Sequence, residues 1–215
     1  MEIIFCDNHL LVVAKPTGIS TQPHVGLGVN LLNQAKAWLK KQFQKPGNVF
    51  LEPVHRLDKP ASGLVLFART SKALSRLQEM MRQKEIGKTY FAWVEGVLPA
   101  REGTLEHHLL HDEYRARVVS PSHPQAKLAL LHYRTQIDQK NGKSLVEIQL
   151  ETGRYHQIRA QFAAIGCPVV GDTKYGSSFP LKKDQIALHH GGLKFFHPVT
   201  KSPLSFAVPM DRLIF

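Results

Sequence analysis

Hydrophobic positions open the chain as two short continuous runs, Ile3-Ile4-Phe5 and Leu10-Leu11-Val12-Val13-Ala14, split by the turn-prone Asp7-Asn8-His9. Runs of this length bounded by turn residues predict two strands. Lys15-Pro16-Thr17-Gly18 breaks the second, and residues 20–28 read as a loop containing Gly, Pro and His. The period then changes. Leu31, Leu32, Ala35, Trp38, Leu39 and Phe43 share one helical face, with Lys36, Lys40 and Lys41 on the other. Gln44-Lys45-Pro46-Gly47-Asn48 ends that helix. Its basic face is read as solvated, the usual state of a charged helix face, with a nucleic-acid contact as the alternative.

Leu64-Val65-Leu66-Phe67-Ala68 is a continuous apolar run and predicts a buried strand. Ser71 is placed to cap a helix at Lys72, whose apolar stripe is Leu74, Leu77, Met80 and Met81, the methionines serving as core filler. Residues 88–98 alternate, which predicts a strand carrying Tyr90, Ala92 and Val94 on one side. Residues 103–120 predict two more strands with little continuous apolar sequence, read as an exposed hairpin or arm bearing His107, His108, His111, Arg115 and Arg117. Residues 128–137 and 144–151 predict a strand pair whose connection contains Asn141-Gly142, a strong hairpin signal. A helix from about Tyr155 to Ile165 would bury Ile158, Phe162 and Ile165, with His156 and Arg159 as i, i+3 neighbours at the edge of that stripe. Gly166 and Pro168 end it. A glycine-punctuated loop over 169–178 follows, then strands near 186–196 and 204–208 joined by a turn at His197-Pro198-Val199-Thr200. No repeat or low-complexity linker divides the chain, so residues 1–215 are read as one domain, or as two subdomains sharing one sheet.

Composition is ordinary, 43% apolar and 21% charged, but charge balance is not: 28 Lys and Arg oppose 17 acids, a formal net of +11. Such an excess points to a polyanionic partner, nucleic acid or an anionic membrane surface. No apolar run approaches the ~20 residues that span a bilayer. The start, Met-Glu-Ile-Ile-Phe-Cys-Asp, lacks a basic n-region and a long h-region, so a cytoplasmic protein acting on nucleic acid is expected. Cys6 and Cys167 lie far apart, and the 12 His show no ligand-pair spacing, so neither a disulfide framework nor a metal site is expected.

Residues 53–72 concentrate the chemistry. Asp58 lies among His55, Arg56 and Lys59. Pro60 fixes its own φ and steers Lys59 away from the helical region. Ser62 and Gly63 are read as prolonging this irregular stretch before the apolar run begins. Asp58 is then a carboxylate on a stiffened loop feeding the core, kept ionised by nearby cations and available as a nucleophile. The alternative is an Asp that hydrogen-bonds its own turn.

Three separated stretches resemble one family. His55-Arg56-Leu57-Asp58 followed by Ser62-Gly63-Leu64 resembles the catalytic motif of the RluA-type pseudouridine synthases. Lys88-Thr89-Tyr90-Phe91-Ala92-Trp93-Val94-Glu95-Gly96 resembles their tyrosine-bearing strand. Thr152-Gly153-Arg154-Tyr155-His156-Gln157-Ile158-Arg159, with Gly166-Cys167-Pro168 and Gly171-Asp172-Thr173-Lys174-Tyr175-Gly176, resembles their third motif. The segments at 10–18, 188–190 and 196–200 are similar as well, so the likeness runs through nearly the whole chain in family order. It implies an α+β pseudouridine synthase fold: a mixed, mostly antiparallel central sheet with flanking helices and an RNA-binding cleft. It implies isomerisation of specific uridines in structured RNA, transfer or ribosomal, without cofactor or metal, by a monomer. Carried over by motif position, Asp58 is the essential carboxylate, Tyr90 packs on the target base, and Arg159 pairs with Asp58. Arg56 is the arginine expected to enter the RNA, and His55, Arg154, His156 and Ile158 are expected around the substrate. Two departures stand out: Lys59-Pro60-Ala61 replaces an Arg-Asp-Thr type sequence, and Tyr155 stands where Thr, Ser or His is commoner. The matched segments start at once, so the S4 RNA-binding domain that many relatives carry is expected to be absent. The competing readings are a basic RNA-binding module or chaperone without chemistry, and a nucleoside hydrolase that would release free uracil.

Overall fold

The computed structural model describes residues 1–23 and 28–209, with backbone only at 138–140. Part of the loop expected over 20–28 lies outside the described residues. In chain order the elements are β1 (Glu2–Cys6), β2 (Leu10–Lys15), α1 (Leu31–Gln42), β3 (Glu52–Pro53), β4 (Ser62–Ala68), α2 (Ser71–Arg82), β5 (Gly87–Glu95), β6 (Glu102–Asp112), β7 (Arg115–Val119), β8 (Lys127–Lys140), β9 (Lys143–Leu150), α3 (Gln157–Ala164), β10 (Leu188–Phe196) and β11 (Pro203–Ala207). This is the α+β class that the resemblance implies. The chain divides into two compact units: Met1–Gly87 with His190–Pro209, and Lys88–His189. The chain thus enters the second unit at the start of β5 and leaves it at the start of β10.

In the first unit the strand order is β1-β2-β4-β10, with β3 paired to β4 and β11 to β10. β2 and β4 are antiparallel, Leu10 facing Ala68 through to Lys15 facing Gly63. Both are buried along almost their whole length, which explains why they read as continuous apolar runs rather than alternating ones. Leu10, Val12, Leu64, Leu66, Leu77, Met80, Ile86, Leu193 and Phe195 make one core cluster. β4 starts at Ser62, not after Gly63 as the sequence suggested, because Gly63 itself pairs with Lys15. Its φ is +117°, and an added Cβ would lie 2.3 Å from the His190 carbonyl oxygen, so only glycine admits the neighbouring backbone.

α1 is capped by Asn30, whose side chain accepts from the Asn33 amide. Leu31, Leu32, Ala35 and Leu39 are buried as their spacing predicts. Phe43 is not: the helix has ended there, and the ring is exposed, lying edge-on to Trp38 with the Arg69 guanidinium 4.5 Å from its centroid. Thr70, not Ser71, caps α2, accepting from the Ala73 amide at 3.1 Å. A threonine hydroxyl caps nearly as well as serine, and it is Thr70 that has the extended backbone of a capping residue. Ala73 joins Leu77 and Met80 on the buried face, with Leu74 and Met81 at its margin.

In the second unit the order is β5-β9-β8-β6-β7. β5 buries Tyr90, Ala92 and Val94, as its alternation predicts. β8 and β9 are joined by Asn141 and Gly142 at φ 55° and 71°, the positive pair that an Asn-Gly hairpin turn requires. The 103–120 segment is not a free arm. β6 is hydrogen-bonded to β7 on one side and to β8 on the other, and Leu105, Leu109 and Ala116 are buried. Its apolar residues alternate with polar ones because only one face is covered, which a search for continuous runs misses. Gln161, fully buried on α3, donates to the carbonyls of Leu105 and Ala129 and ties the helix to that face.

Candidate active site

Asp58 sits in the first unit at the start of a tight turn, its carbonyl accepting from the Ala61 amide at 3.1 Å. Three side chains fix the segment around it. The Thr21 hydroxyl both donates to the Leu57 carbonyl and accepts from the Leu57 amide, at 3.0 and 3.1 Å. His55 Nε2 accepts from the Leu66 amide of β4 at 3.2 Å, and its ring stands edge-on to His190 at 5.2 Å. Lys15, only 2% exposed, donates through Nζ to the carbonyls of Pro16, Ile19 and Lys59 at 3.0, 2.9 and 3.1 Å. Gly18 donates to the same Lys59 carbonyl. Three acceptors match the three donors of an ammonium group. Burial nevertheless lowers the Lys15 pKa to about 7, with the Asp58 charge opposing that shift. Lys15 and Thr21 were not singled out from the sequence. The signal was there, a lysine ending a fully apolar strand, but a terminal lysine ordinarily reaches for solvent. Arg56 on this loop is exposed, Asp58 half-buried.

The remaining candidates belong to the second unit. Tyr90, 7% exposed on β5, faces Ile148 of β9 across the ladder. α3 begins at Gln157, two residues later than its periodicity suggested, because His156 has φ 50° in the left-handed region. Gln157 Oε1 accepts from the Thr152 hydroxyl and the Arg154 amide, while Nε2 donates to the Leu130 carbonyl. That glutamine therefore secures the turn leading into the helix to β8. Arg154 is exposed and donates from Nε to the Leu128 carbonyl. Ile158 is buried, at 4% exposure.

Arg159 makes a buried, forked pair with Asp172: Nε to Oδ2 at 2.6 Å and Nη2 to Oδ1 at 2.9 Å. Its guanidinium lies 5.0 Å from the centroid of the Tyr175 ring. The Tyr175 hydroxyl accepts from the Ala116 amide at 2.7 Å and shares a hydrogen bond of 3.0 Å with His156 Nδ1. The Asp172 loop is held in turn: Gly171 has φ 85°, and Glu95 accepts from the Ser177 and Ser178 hydroxyls and from the Phe179 amide. Burial alone would raise the Glu95 pKa, but these hydrogen bonds outweigh it and hold the carboxyl below its ordinary value. Asp172 lies in the third matched segment, but an acid following a glycine reads as a turn former, so nothing in the sequence marks it as the partner of Arg159. Within the first unit the structure brings His55, Arg56 and Asp58 onto one loop. Within the second it gathers Arg154, His156, Ile158 and Arg159 at the start of α3. Among the described residues no cluster of three His, Cys, Asp or Glu could hold a metal ion, and no helix is long and apolar enough to cross a membrane.

The family model for RNA pseudouridylate synthase matches residues 9–164, which include the Asp58 loop, the β5 tyrosine and the start of α3 through Arg159. The chain belongs to this family. Among its relatives, an uncharacterized RNA pseudouridine synthase of Bacillus subtilis, YhcT, is 35% identical over 93% of this chain and 65% of its own length. Ribosomal large subunit pseudouridine synthase D of Zymomonas mobilis is 34% identical over 99% of this chain and 70% of its own. The dual-specificity RNA pseudouridine synthase RluA of Pasteurella multocida is 32% identical over 97% and 93%. The chain thus spans about two thirds of the length of the first two relatives and nearly all of the third. Human RNA pseudouridylate synthase domain containing 4 shares the fold, with a TM-score of 0.80 at 21% identity over 97% of this chain and 88% of that one.

Proposed function

We propose that this chain isomerises specific uridines of structured RNA, transfer or ribosomal, to pseudouridine, working without cofactor or metal, as a monomer in the cytosol. The observation that carries the reading is the mounting of Asp58. In a segment where the family model matches, the one carboxylate is presented on a loop fixed by Lys15, Thr21 and His55. Rigid support of that kind is what a reacting carboxylate needs. In the reaction the N1–C1′ bond breaks, the uracil turns, a C5–C1′ bond forms, the C5 proton leaves to water, and N1 takes up a proton from water in its place. Atoms balance without any redox partner.

A uridine in folded RNA must leave its stack to reach a carboxylate, at a cost of a few kcal/mol. Tyr90 is assigned as the ring that receives the extruded base, an interaction worth ~1–3 kcal/mol. Arg56, exposed beside Asp58, is assigned to the vacated space, where its planar fork can stack and donate. Arg159 is assigned to Asp58. Its motif position makes it a charge-assisted partner that would keep the carboxylate ionised. His55, Arg154 and His156 border the substrate. Ribosomal RNA is the favoured substrate, since the relative in Zymomonas mobilis is named for the large ribosomal subunit.

RNA carrying tritium at C5 of uridine tests the reading. The wild-type chain should release tritium into water with no free base. Asp58→Asn should release none while keeping most of its RNA affinity, which phosphate contacts supply. Tritium release by that variant would overturn the mechanism. Binding without release by the wild type would make the chain an RNA-binding module, and release of uracil would make it a hydrolase.

A further inference from the structure

Tyr155 departs from the family pattern, and the structure places it inside an aromatic array of the second unit. Its ring stacks on His156 with centroids 3.9 Å apart and planes 18° apart, and lies 4.1 Å from the ring of His111 on β6. Adjacent side chains normally point apart; the left-handed backbone of His156 lets these two face one another. Tyr175 closes the inner end, edge-on to His156 at 5.7 Å and hydrogen-bonded to it. The outer end is open to solvent: His111 is exposed and Tyr155 is 39% exposed.

The β6–β7 turn that follows His111 carries Tyr114, at 73% exposure, and Lys174 Nζ donates to its carbonyl at 3.0 Å. Water on an aromatic ring of this size is unfavourable, and here Tyr155 and His111 are left in it in contact with one another, with Tyr114 exposed in the adjoining turn. Exposed Arg115, Arg117, Arg154 and Lys174 accompany them. Of the acids in that turn, Asp112 is paired with Arg117 at 3.0 Å, and Glu113 precedes Tyr114. Rings that accept stacking among cations suit a single-stranded nucleic acid, whose bases offer π-faces and whose phosphates offer negative charge.

We infer that Tyr114, His111 and Tyr155 form a stacking platform for an unpaired base of the substrate RNA other than the uridine being isomerised. This rests on the reading above that the chain acts on RNA. The platform selects RNAs with an unpaired stretch beside the target and makes Tyr155 a determinant of substrate choice. Stacking is tolerant of base identity, so the selection is for single-strandedness rather than for sequence.

The test is fluorescence anisotropy with labelled single-stranded oligocytidylate, which contains no uridine to enter the isomerisation site, and with a blunt-ended G·C duplex. Tyr114→Ala and Tyr155→Ala should each weaken oligocytidylate binding about tenfold and leave duplex binding unchanged. Tyr155→Phe, which keeps the ring, should retain wild-type affinity, and unaltered melting of all three variants reports intact folding. The alanine variants should keep the wild-type salt slope, whereas Arg154→Ala with Lys174→Ala should reduce it. Equal oligocytidylate affinity in wild type and alanine variants overturns the platform while leaving the catalytic reading standing. Failure of the wild type to bind either RNA overturns both.

Discussion

Arg159 and Asp172 face each other through two hydrogen bonds in a place where neither side chain sees water. Removing the guanidinium strands a buried carboxylate, a loss of about 3–5 kcal/mol. Arg159→Ala should therefore lower stability by that order in urea unfolding, in addition to abolishing turnover if the proposed contact with Asp58 holds. Pairing it with Asp172→Asn removes the stranded charge and should recover much of the loss, so the two changes should be non-additive by at least about 1 kcal/mol. The same cycle with Asp58→Asn isolates the proposed second contact. Strict additivity in the Asp172 cycle would mean that the fork contributes nothing in solution. From sequence the whole stability role of Arg159 would have been given to Asp58. Thirteen residues separate Arg159 from Asp172, and nothing in spacing or period links a helix position to an acid in a later turn.

At the scale of the element, β2 ends on Lys15, and the strand places that amine under the Asp58 loop. Its folded pKa, about 7, lies below the ordinary lysine value of ~10.4. Below pH 7 both folded and unfolded states hold the proton, and the group adds no pH dependence. Between 7 and ~10.4 the unfolded chain binds more protons, so stability should rise with pH in that window and fall away again as pH drops through 7. Each unit of depression is worth about 1.4 kcal/mol. Lys15→Met removes this slope and leaves buried carbonyls without their donor, at about 1–3 kcal/mol. Denaturant titrations of both proteins at neutral and alkaline pH should show the stability gap widening as pH rises; a constant gap would show that the amine is not desolvated. The strands that carry the site were legible where one local rule decided them: alternation around Tyr90, apolar continuity in β2 and β4, and Asn141-Gly142 between β8 and β9. The rest depended on neighbours. Gly63 belongs to β4 because His190 approaches it, and β6 has a buried face because Gln161 of α3 holds its Leu105 carbonyl and Ala160 of α3 clusters with its Leu109. Such contacts are set by residues more than fifty positions away and leave no periodic trace.

For the molecule as a whole, the charge excess of +11 is unevenly spread, most of it within the first unit. Family, fold class and the Asp58 motif could be read from the chain; the location of RNA contacts could not, because a solvated lysine and a phosphate-binding lysine have the same sequence signature. Salt separates them. Each phosphate neutralised releases counterions, so log affinity should fall linearly with log salt, at about −0.7 per phosphate for single-stranded RNA and about −0.9 for a duplex, taking the DNA value as a guide. Asp58→Asn should follow the same line as the wild type, because it alters the reacting group and adds no phosphate contact. α1 offers a sharper case. Lys40 and Lys41 are exposed in its last turn, where they also complement the helix dipole, and Lys36 is half-buried. Cations placed there already have a local reason to exist. We therefore expect Lys36→Gln, Lys40→Gln and Lys41→Gln together to leave the salt slope within about one unit of the wild type. A loss of about two or more units would instead make the α1 face part of the RNA contact. A wild-type titration with no slope at all would remove RNA as the partner, since a chain this basic cannot engage a polyanion without displacing its counterions.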